Sequence, residues 1–145
     1  MDDRSRNAPQ VAHLMNELSA TARDDLLARL STLEPDLAEQ IRDALFTFDD
    51  LIYVEGKSLQ ALLREIDPQL LLKALKGAQS GVKKAIFSQL SRRKVEMIKG
   101  ELEVMPPIRL SEAHEAQRQI ARRAREMSEQ GKLVIIRPGA PDQYV

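Results

Sequence analysis

Few side chains in this sequence have the type and spacing that metal chemistry needs. His114 and Glu115 begin like the helical zinc motif of metalloproteases, which places a second histidine four residues after the first, but that position is Arg118. The other histidine, His13, has no ligand set spaced around it. Cysteine is absent, which excludes disulfides and thiolate sites. The sequence therefore predicts no metal site.

Motifs for nucleotide binding and nucleophilic catalysis are also missing. Gly77, Gly81 and Lys83 are close together, but no strand precedes them and the Gly-Lys-Ser/Thr ending of a phosphate loop is absent. No serine lies in a nucleophile elbow. We expect a protein that is not an enzyme and needs no cofactor.

Charged residues on predicted helices are the remaining candidates. A helix predicted over about residues 92–105 carries a row of alternating sign, for which we expect ion pairs between neighbouring turns. The row consists of Arg92, Glu96, Lys99 and Glu103.

Arg93 and Glu101 of the same helix lie outside that row. Arg93 and Glu101 are eight residues apart, which places them about 80° apart around the axis. Neither has a residue of opposite charge four positions away. Together with Lys76 and Arg109 they could form a ridge of separated charges for a partner, while a plain solvated surface is the alternative. We call Lys76, Arg93, Glu101 and Arg109 the charged ridge.

The last predicted helix, about residues 112–130, is rich in arginine and raises the possibility of nucleic-acid binding. Acidic residues flank these arginines, and no aromatic side chain is interleaved for base stacking. The whole chain has 22 basic and 22 acidic residues, so it offers no general attraction for phosphates. We expect no nucleic-acid partner. The arginines are Arg118, Arg122, Arg123 and Arg125.

Helical periodicity positions these groups and predicts an all-α fold. It runs from residue 9 to residue 130 and is interrupted by Pro, Gly and capping residues, without the alternation typical of strands. Three short helices before residue 45 look like a stacking unit, the first with a stripe of Val11, Leu14 and Leu18. The helix over about residues 112–130 is predicted to have small inner residues, namely Ala113, Ala116, Ile120, Ala124 and Met127.

Capping residues predict where the helices begin and end. Gly77 is expected to end one helix in the left-handed conformation, and Gly131 to stop the last one. Serines are the expected N-terminal caps. They are Ser19, Ser58, Ser80, Ser91 and Ser111.

No targeting or membrane segment is evident. The first seven residues contain no apolar signal region, and no uncharged stretch approaches the ~20 residues that span a bilayer. We expect a cytoplasmic protein without direct membrane insertion.

Five segments of the sequence form a specific series: 45–51 (LFTFDDL), 58–67 (SLQALLREID), 74–78 (ALKGA), 90–93 (LSRR) and 108–111 (IRLS). In order and spacing they resemble the C-terminal part of the FliG family of flagellar motor switch proteins. The resemblance covers residues ~10 to 145.

The resemblance implies two helical lobes joined by a hinge. The expected organisation is a flexible N-terminus (1–8), an armadillo-like lobe of short helices (9–45), a hinge segment (45–50), a C-terminal helical torque domain (51–136) and a flexible tail (137–145). The hinge residues are Leu45, Phe46, Thr47 and Phe48.

The resemblance also implies a function and partners. The family's charged ridge meets the cytoplasmic loop of the stator protein MotA and transmits torque, and Lys76, Arg93, Glu101 and Arg109 fall on its positions. The torque domain also contacts the switch protein FliM, and the first lobe stacks on a neighbouring FliG-type subunit. The implied location is the cytoplasmic side of the inner membrane, at the flagellar basal body.

The sequence departs from the family pattern at several positions. Leu45 replaces the methionine of the Met-Phe-x-Phe hinge, Gly100 stands where the family commonly has the first of two acids, and Pro106 replaces the usual glycine before Pro107. The ring-anchoring and middle domains of the family have no counterpart here. An alternative is therefore a helical adaptor or scaffold that kept the fold without the torque function.

Overall fold

Helices dominate the computed structural model, which confirms the all-α prediction. The structure describes residues 3–136, and of residues 3–6 and 20 only the backbone. The described part contains eight α-helices and one 3-10 helix at Phe48–Tyr53. The α-helices are α1 (Asp3–Met15), α2 (Ala20–Leu33), α3 (Pro35–Leu45), α4 (Gly56–Glu65), α5 (Pro68–Lys76), α6 (Ser80–Ser88), α7 (Arg92–Val104) and α8 (Leu110–Glu129).

The chain divides into two compact units between Thr47 and Phe48. Residues 3–8, expected as part of a flexible N-terminus, belong to α1, and Ala8 is buried. The expected flexible tail, 137–145, lies outside the described residues, as do residues 1 and 2.

In the first unit, α1 and α2 pack on α3. The apolar stripe predicted for α1 was wrong, because Leu14 is 63% exposed and Leu18 is also exposed. The helix begins before Pro9, and its buried face is instead Ala8, Ala12 and Met15, spaced four and three residues apart. Small residues on that face let the helix backbones approach closely.

In the second unit, α5 lies along α8, and the 3-10 helix packs on α6 and α8. The inner face of α8 follows the predicted spacing, and four of its six buried residues are alanine. Those residues are Ala113, Ala116, Ile120, Ala121, Ala124 and Met127.

The segment after α8 returns to the start of the second unit. Gly131 has a φ of +74°, so it takes the left-handed conformation predicted for it. Val134 then accepts a hydrogen bond from the backbone N–H of Glu55 at 2.9 Å, and Ile136 donates its N–H to Tyr53 at 2.7 Å. These bonds anchor the end of the described chain.

Two of the five predicted serine caps are confirmed and three were wrong. The Ser19 hydroxyl accepts the N–H of Ala22, and the Ser91 hydroxyl accepts the N–H of Lys94, both at 3.2 Å. Helix α8 begins one residue before Ser111, and Ser80 is the first residue of α6, not its cap.

Ser58 is buried inside α4 and does not cap the helix. Its hydroxyl accepts the backbone N–H of Val134 at 2.9 Å, a residue 76 positions away. Local sequence carries no sign of a partner so distant in the chain.

The left-handed conformation predicted for Gly77 was also wrong, since its φ is −102°. A Cβ built on Gly77 would lie 2.7 Å from the Cβ of Ala113, so the position is tight for any side chain. Glycine allows the end of α5 to approach the first turns of α8.

Candidate functional site

Helix α7 presents most of its surface to solvent. Ser91 caps its start, and it ends at Val104 before Met105 and the two prolines that follow. It packs on α5 and buries Ile98, with Val95 and Leu102 half-buried beside it. A short inner stripe thus holds a helix whose remaining residues are exposed.

Seven charged side chains cover this exposed surface. Within the described part of the chain, no nitrogen–oxygen distance of 4.0 Å or less joins two charges of α7. The predicted ion pairs along the alternating row were therefore wrong, since exposed pairs gain little from holding two long side chains together. The seven residues are Arg92, Arg93, Lys94, Glu96, Lys99, Glu101 and Glu103.

The order of these charges opposes the helix dipole. Arg92, Arg93 and Lys94 occupy the first turn, where acids are favoured, while Glu101 and Glu103 lie towards the end, where bases are favoured. Each misplaced charge costs about 0.3–1 kcal/mol at an exposed helix end. This order of charges therefore does not stabilise α7.

All four residues of the charged ridge are exposed, but they do not form one cluster. Lys76 and Arg109 line a common hollow of about 240 Å³, together with Gly77 and Pro107. Arg93 lies at the other end of α7, about 12 Å along the axis from Glu101, because each residue advances the helix by about 1.5 Å. The four residues are therefore separated charges, and their use by a partner stays a prediction.

Lys76 differs from the other three in having protein partners. Its ammonium donates to the backbone carbonyls of Leu102 at 3.2 Å and of Met105 at 3.5 Å. Within the described residues, the side chains of Arg93, Glu101 and Arg109 take part in no ion pair or hydrogen bond.

The sequence analysis missed an apolar component of this surface. Met97 is 57% exposed and lies midway between Arg93 and Glu101 on α7. Together with Glu101 and Lys94 it lines a cavity of about 440 Å³ between α4, α5 and α7. The spacing of four residues on either side of Met97 could have indicated this position.

Arg118 and Arg123 of α8 form hydrogen bonds with acidic side chains. Arg118 donates to Glu115 at 3.0 Å, and Arg123 donates to Glu65 at 2.6 Å and to Glu126 at 3.2 Å. These hydrogen bonds are the main cause that lowers the pKa of Glu115 and of Glu65 from the ordinary value of 4.5. These arginines are therefore paired with acids of the same protein.

The predicted hinge residues lie at the boundary of the two units. Leu45 ends α3 and Phe46 caps it, Thr47 is exposed, and Phe48 begins the 3-10 helix. Phe46 and Phe48 are both buried.

Other kinds of site find no support in residues 3–136. Both histidines are exposed, and no group of three or more His, Asp or Glu residues in that range could hold a metal ion. Over the same range, no helix has the length and apolar composition to cross a bilayer.

Comparison with known proteins gives the family. The family model of the FliG C-terminal domain matches residues 28–135. The chain belongs to this family. The matched residues include α3 to α8 in full and the last six residues of α2.

The similar proteins are flagellar motor switch proteins. The chain is 38% identical to FliG of Thermotoga maritima over 132 residues, covering 91% of this chain and 39% of the relative. It is 37% identical to FliG of Vibrio cholerae over 135 residues, covering 93% and 38%. The chain therefore spans about two fifths of the length of these relatives.

Solved structures show the same fold. The structure of full-length FliG from Aquifex aeolicus matches with a TM-score of 0.79 and 30% identity, covering 86% of this chain and 39% of that one. A crystal structure of residues 116–343 of FliG from H. pylori matches with a TM-score of 0.67 and 24% identity, covering 86% and 55%.

Proposed function

We propose that this chain is the torque-transmitting part of a flagellar rotor and switch protein. The family and the relatives named flagellar motor switch protein FliG support the motor context. The single observation that carries the torque function is the set of exposed charges on α7 without ion pairs, placed against the helix dipole. The Lys99 ammonium lies 5.9 Å from the centre of the Phe87 ring, whereas Arg93 and Glu101 have no ion pair within the described residues and are available to a partner.

The proposed partner is the cytoplasmic loop of the stator protein MotA. Arg93 and Arg109 would face acidic groups of that loop, and Glu101 would face a basic group. In water, two unit charges about 4 Å apart attract by only about 1 kcal/mol, and salt reduces this further. Such contacts form and release readily, as a surface that steps past a moving stator requires. No covalent chemistry in this chain is involved.

Switching of rotation direction would use the boundary between the two units. We propose that Leu45, Phe46, Thr47 and Phe48 form a hinge, so that the charged ridge reorients relative to the first lobe. The division of the chain next to Thr47 supports this assignment. The first lobe would stack on a neighbouring FliG-type subunit and the second would contact FliM. The protein would act on the cytoplasmic side of the inner membrane, at the flagellar basal body.

Charge reversal in the full-length protein tests this function. Arg93→Glu with Arg109→Glu should reduce swimming in soft agar, while circular dichroism and thermal unfolding of the purified protein stay unchanged. Lys84→Glu reverses one exposed charge on α6, outside the charged ridge, and should leave swimming intact. Normal swimming of the double variant would refute the proposal.

The alternative, a helical adaptor without torque function, draws on Gly100. This residue lies within α7 with nothing within 4 Å of where its Cβ would be, so no packing demands a glycine in place of the family's acid. Grafting residues 28–136 onto the remainder of a FliG relative separates the two functions. Restored rotation would support torque transmission, and assembly of the motor without rotation would support the adaptor.

A further inference from the structure

Helix α7 ends without the backbone donors that usually satisfy a C-terminus. The last four carbonyls of any helix lack intrahelical partners, and the residues just after it normally donate to some of them. Here Pro106 and Pro107 follow Met105, and neither has an N–H. For α2 to α6 and for α8 the C-cap residue donates its backbone N–H into its own helix, whereas Met105 makes no such bond in the described structure.

Lys76 supplies the missing donor from another helix. Its Nζ lies 3.2 Å from the carbonyl oxygen of Leu102 and 3.5 Å from that of Met105. The carbonyl of Leu102 is the one to which an N–H at position 106 would donate if the helix continued, because helical bonds join residues four apart. Proline at that position leaves this oxygen open to the lysine.

Lys76 also supplies a charge that α7 lacks. The last turn of α7 contains no basic residue, although a cation there would interact favourably with the negative end of the helix dipole. Glu101 and Glu103 make that end still more negative. The ammonium of Lys76 therefore acts as a hydrogen-bond donor and as the compensating charge.

The end of α5 that carries Lys76 is itself fixed in place. The side-chain amide of Gln117 on α8 donates to the carbonyl of Ala74 at 3.0 Å. Gly77 lies so close to Ala113 that no side chain fits between them without movement. Lys76 thus projects towards α7 from a backbone that is held against α8.

We propose that Lys76 is a positioning residue that caps α7 from α5 and holds the acidic end of that helix, including Glu101, in place. The cap itself is independent of what the protein does. Its consequence for torque rests on the proposed function: Lys76 would act through the position of Glu101, in addition to any direct contact with the stator.

Hydrogen exchange of the last turn of α7 tests the cap. Lys76→Met keeps the aliphatic stem and removes the donor, so the amides of residues 102–104 should exchange about fivefold to tenfold faster, which corresponds to the loss of a typical net hydrogen bond. Lys73→Met, an exposed lysine on the same helix, is the matched control and should leave these amides unchanged. Unchanged exchange in Lys76→Met would overturn the proposal.

A second substitution shows whether the effect is capping. Pro106→Ala restores an N–H that can donate to Leu102 and permits helical geometry at Met105. In that background Lys76→Met should accelerate exchange by less than twofold, because the carbonyl has a donor of its own. An equal acceleration with and without Pro106→Ala would overturn the proposal, since simple loss of packing would not depend on position 106.

Swimming assays then distinguish the cap from the proposed function. Lys76→Glu should impair swimming, and Pro106→Ala should partly restore it, whereas reversing acidic charges on the stator loop should not. Recovery through the stator alone would mean that Lys76 acts by direct contact. If Arg93→Glu with Arg109→Glu swims normally, the torque function fails, while the exchange results still decide the cap.

Discussion

Substitution of Gly77 by alanine should destabilise the second unit, although alanine is the better residue for a helix end of this geometry. The backbone at Gly77 has a φ of −102° and a ψ of 9°, which any residue can adopt. The cost is therefore steric, since the new Cβ would lie 2.7 Å from the Cβ of Ala113, about 1 Å closer than an ordinary contact.

The magnitude follows from two opposing effects. Overpacking at a tight contact costs about 1–3 kcal/mol, and replacing glycine by alanine returns about 0.5–1 kcal/mol through the unfolded chain. The difference spans about 0–2.5 kcal/mol, and we expect Gly77→Ala to lower the free energy of unfolding by about 1–2 kcal/mol, in the middle of this range. Gly100→Ala is the matched control, because its Cβ meets nothing within 4 Å, and it should raise the free energy by up to about 1 kcal/mol.

Urea unfolding of the two variants beside the parent protein measures both effects. Adding Ala113→Gly to Gly77→Ala should make the combined loss smaller than the sum of the two single losses, because it removes the clashing methyl group. A neutral or stabilising effect of Gly77→Ala, or strict additivity with Ala113→Gly, would refute the idea that close approach of α5 and α8 requires the glycine.

Three further substitutions test contacts at the edges of this fold. Ser58→Ala should lower the free energy of unfolding by about 1–3 kcal/mol, measured in urea, because it leaves the N–H of Val134 without its buried acceptor. Ser91→Ala should cost about 1 kcal/mol by removing the cap of α7, measured by thermal unfolding. The hydrogen bond from Arg123 lowers the pKa of Glu65, so the ionised carboxylate stabilises the fold above pH 4.5. This stabilisation is lost as pH falls through the lowered pKa. Glu65→Gln should therefore make the free energy of unfolding depend less on pH in the acidic range.

Matched controls exist for each of these variants. Ser80→Ala changes an exposed serine that caps no helix and should alter stability by less than about 0.5 kcal/mol. Glu96→Gln removes an exposed carboxylate that lies beyond the first turn of α7 and has no ion pair within residues 3–136, so it is the control for Glu65→Gln. A larger effect in a control than in its matched variant would contradict the assignment.

Sequence periodicity predicted the fold best where one helix has one dominant apolar face. On α8 the predicted inner residues Ala113, Ala116 and Ile120 are all buried. On α1 the larger apolar residues misled the prediction, because alanines on the other face allow closer packing and Leu14 stays in solvent. Residue size alone therefore did not identify the buried face of a short helix.

The sequence predicted which charged residues of α7 are exposed, but it did not predict the contacts that they make. Its charges are exposed as expected, whereas the ion pairs expected between Arg92 and Glu96 did not form. The hydrogen bond from Lys76 to Leu102 joins residues 26 positions apart and depends on how α5 and α7 pack, so no local sequence pattern predicts it. The sequence does show that Pro106 and Pro107 have no N–H to donate, so it indicates that the last carbonyls of α7 need a donor from elsewhere.

We propose that exposed charges of this chain transmit force by meeting opposite charges on the stator, and the stall torque of single motors tests this proposal most directly. In motors whose full-length rotor protein carries Arg93→Glu and Arg109→Glu, we expect a large loss of torque with the natural stator and partial recovery when acidic residues of the MotA loop are replaced by lysine. Full torque with the natural stator, or a loss that reversed stator charges leave unchanged, would contradict it.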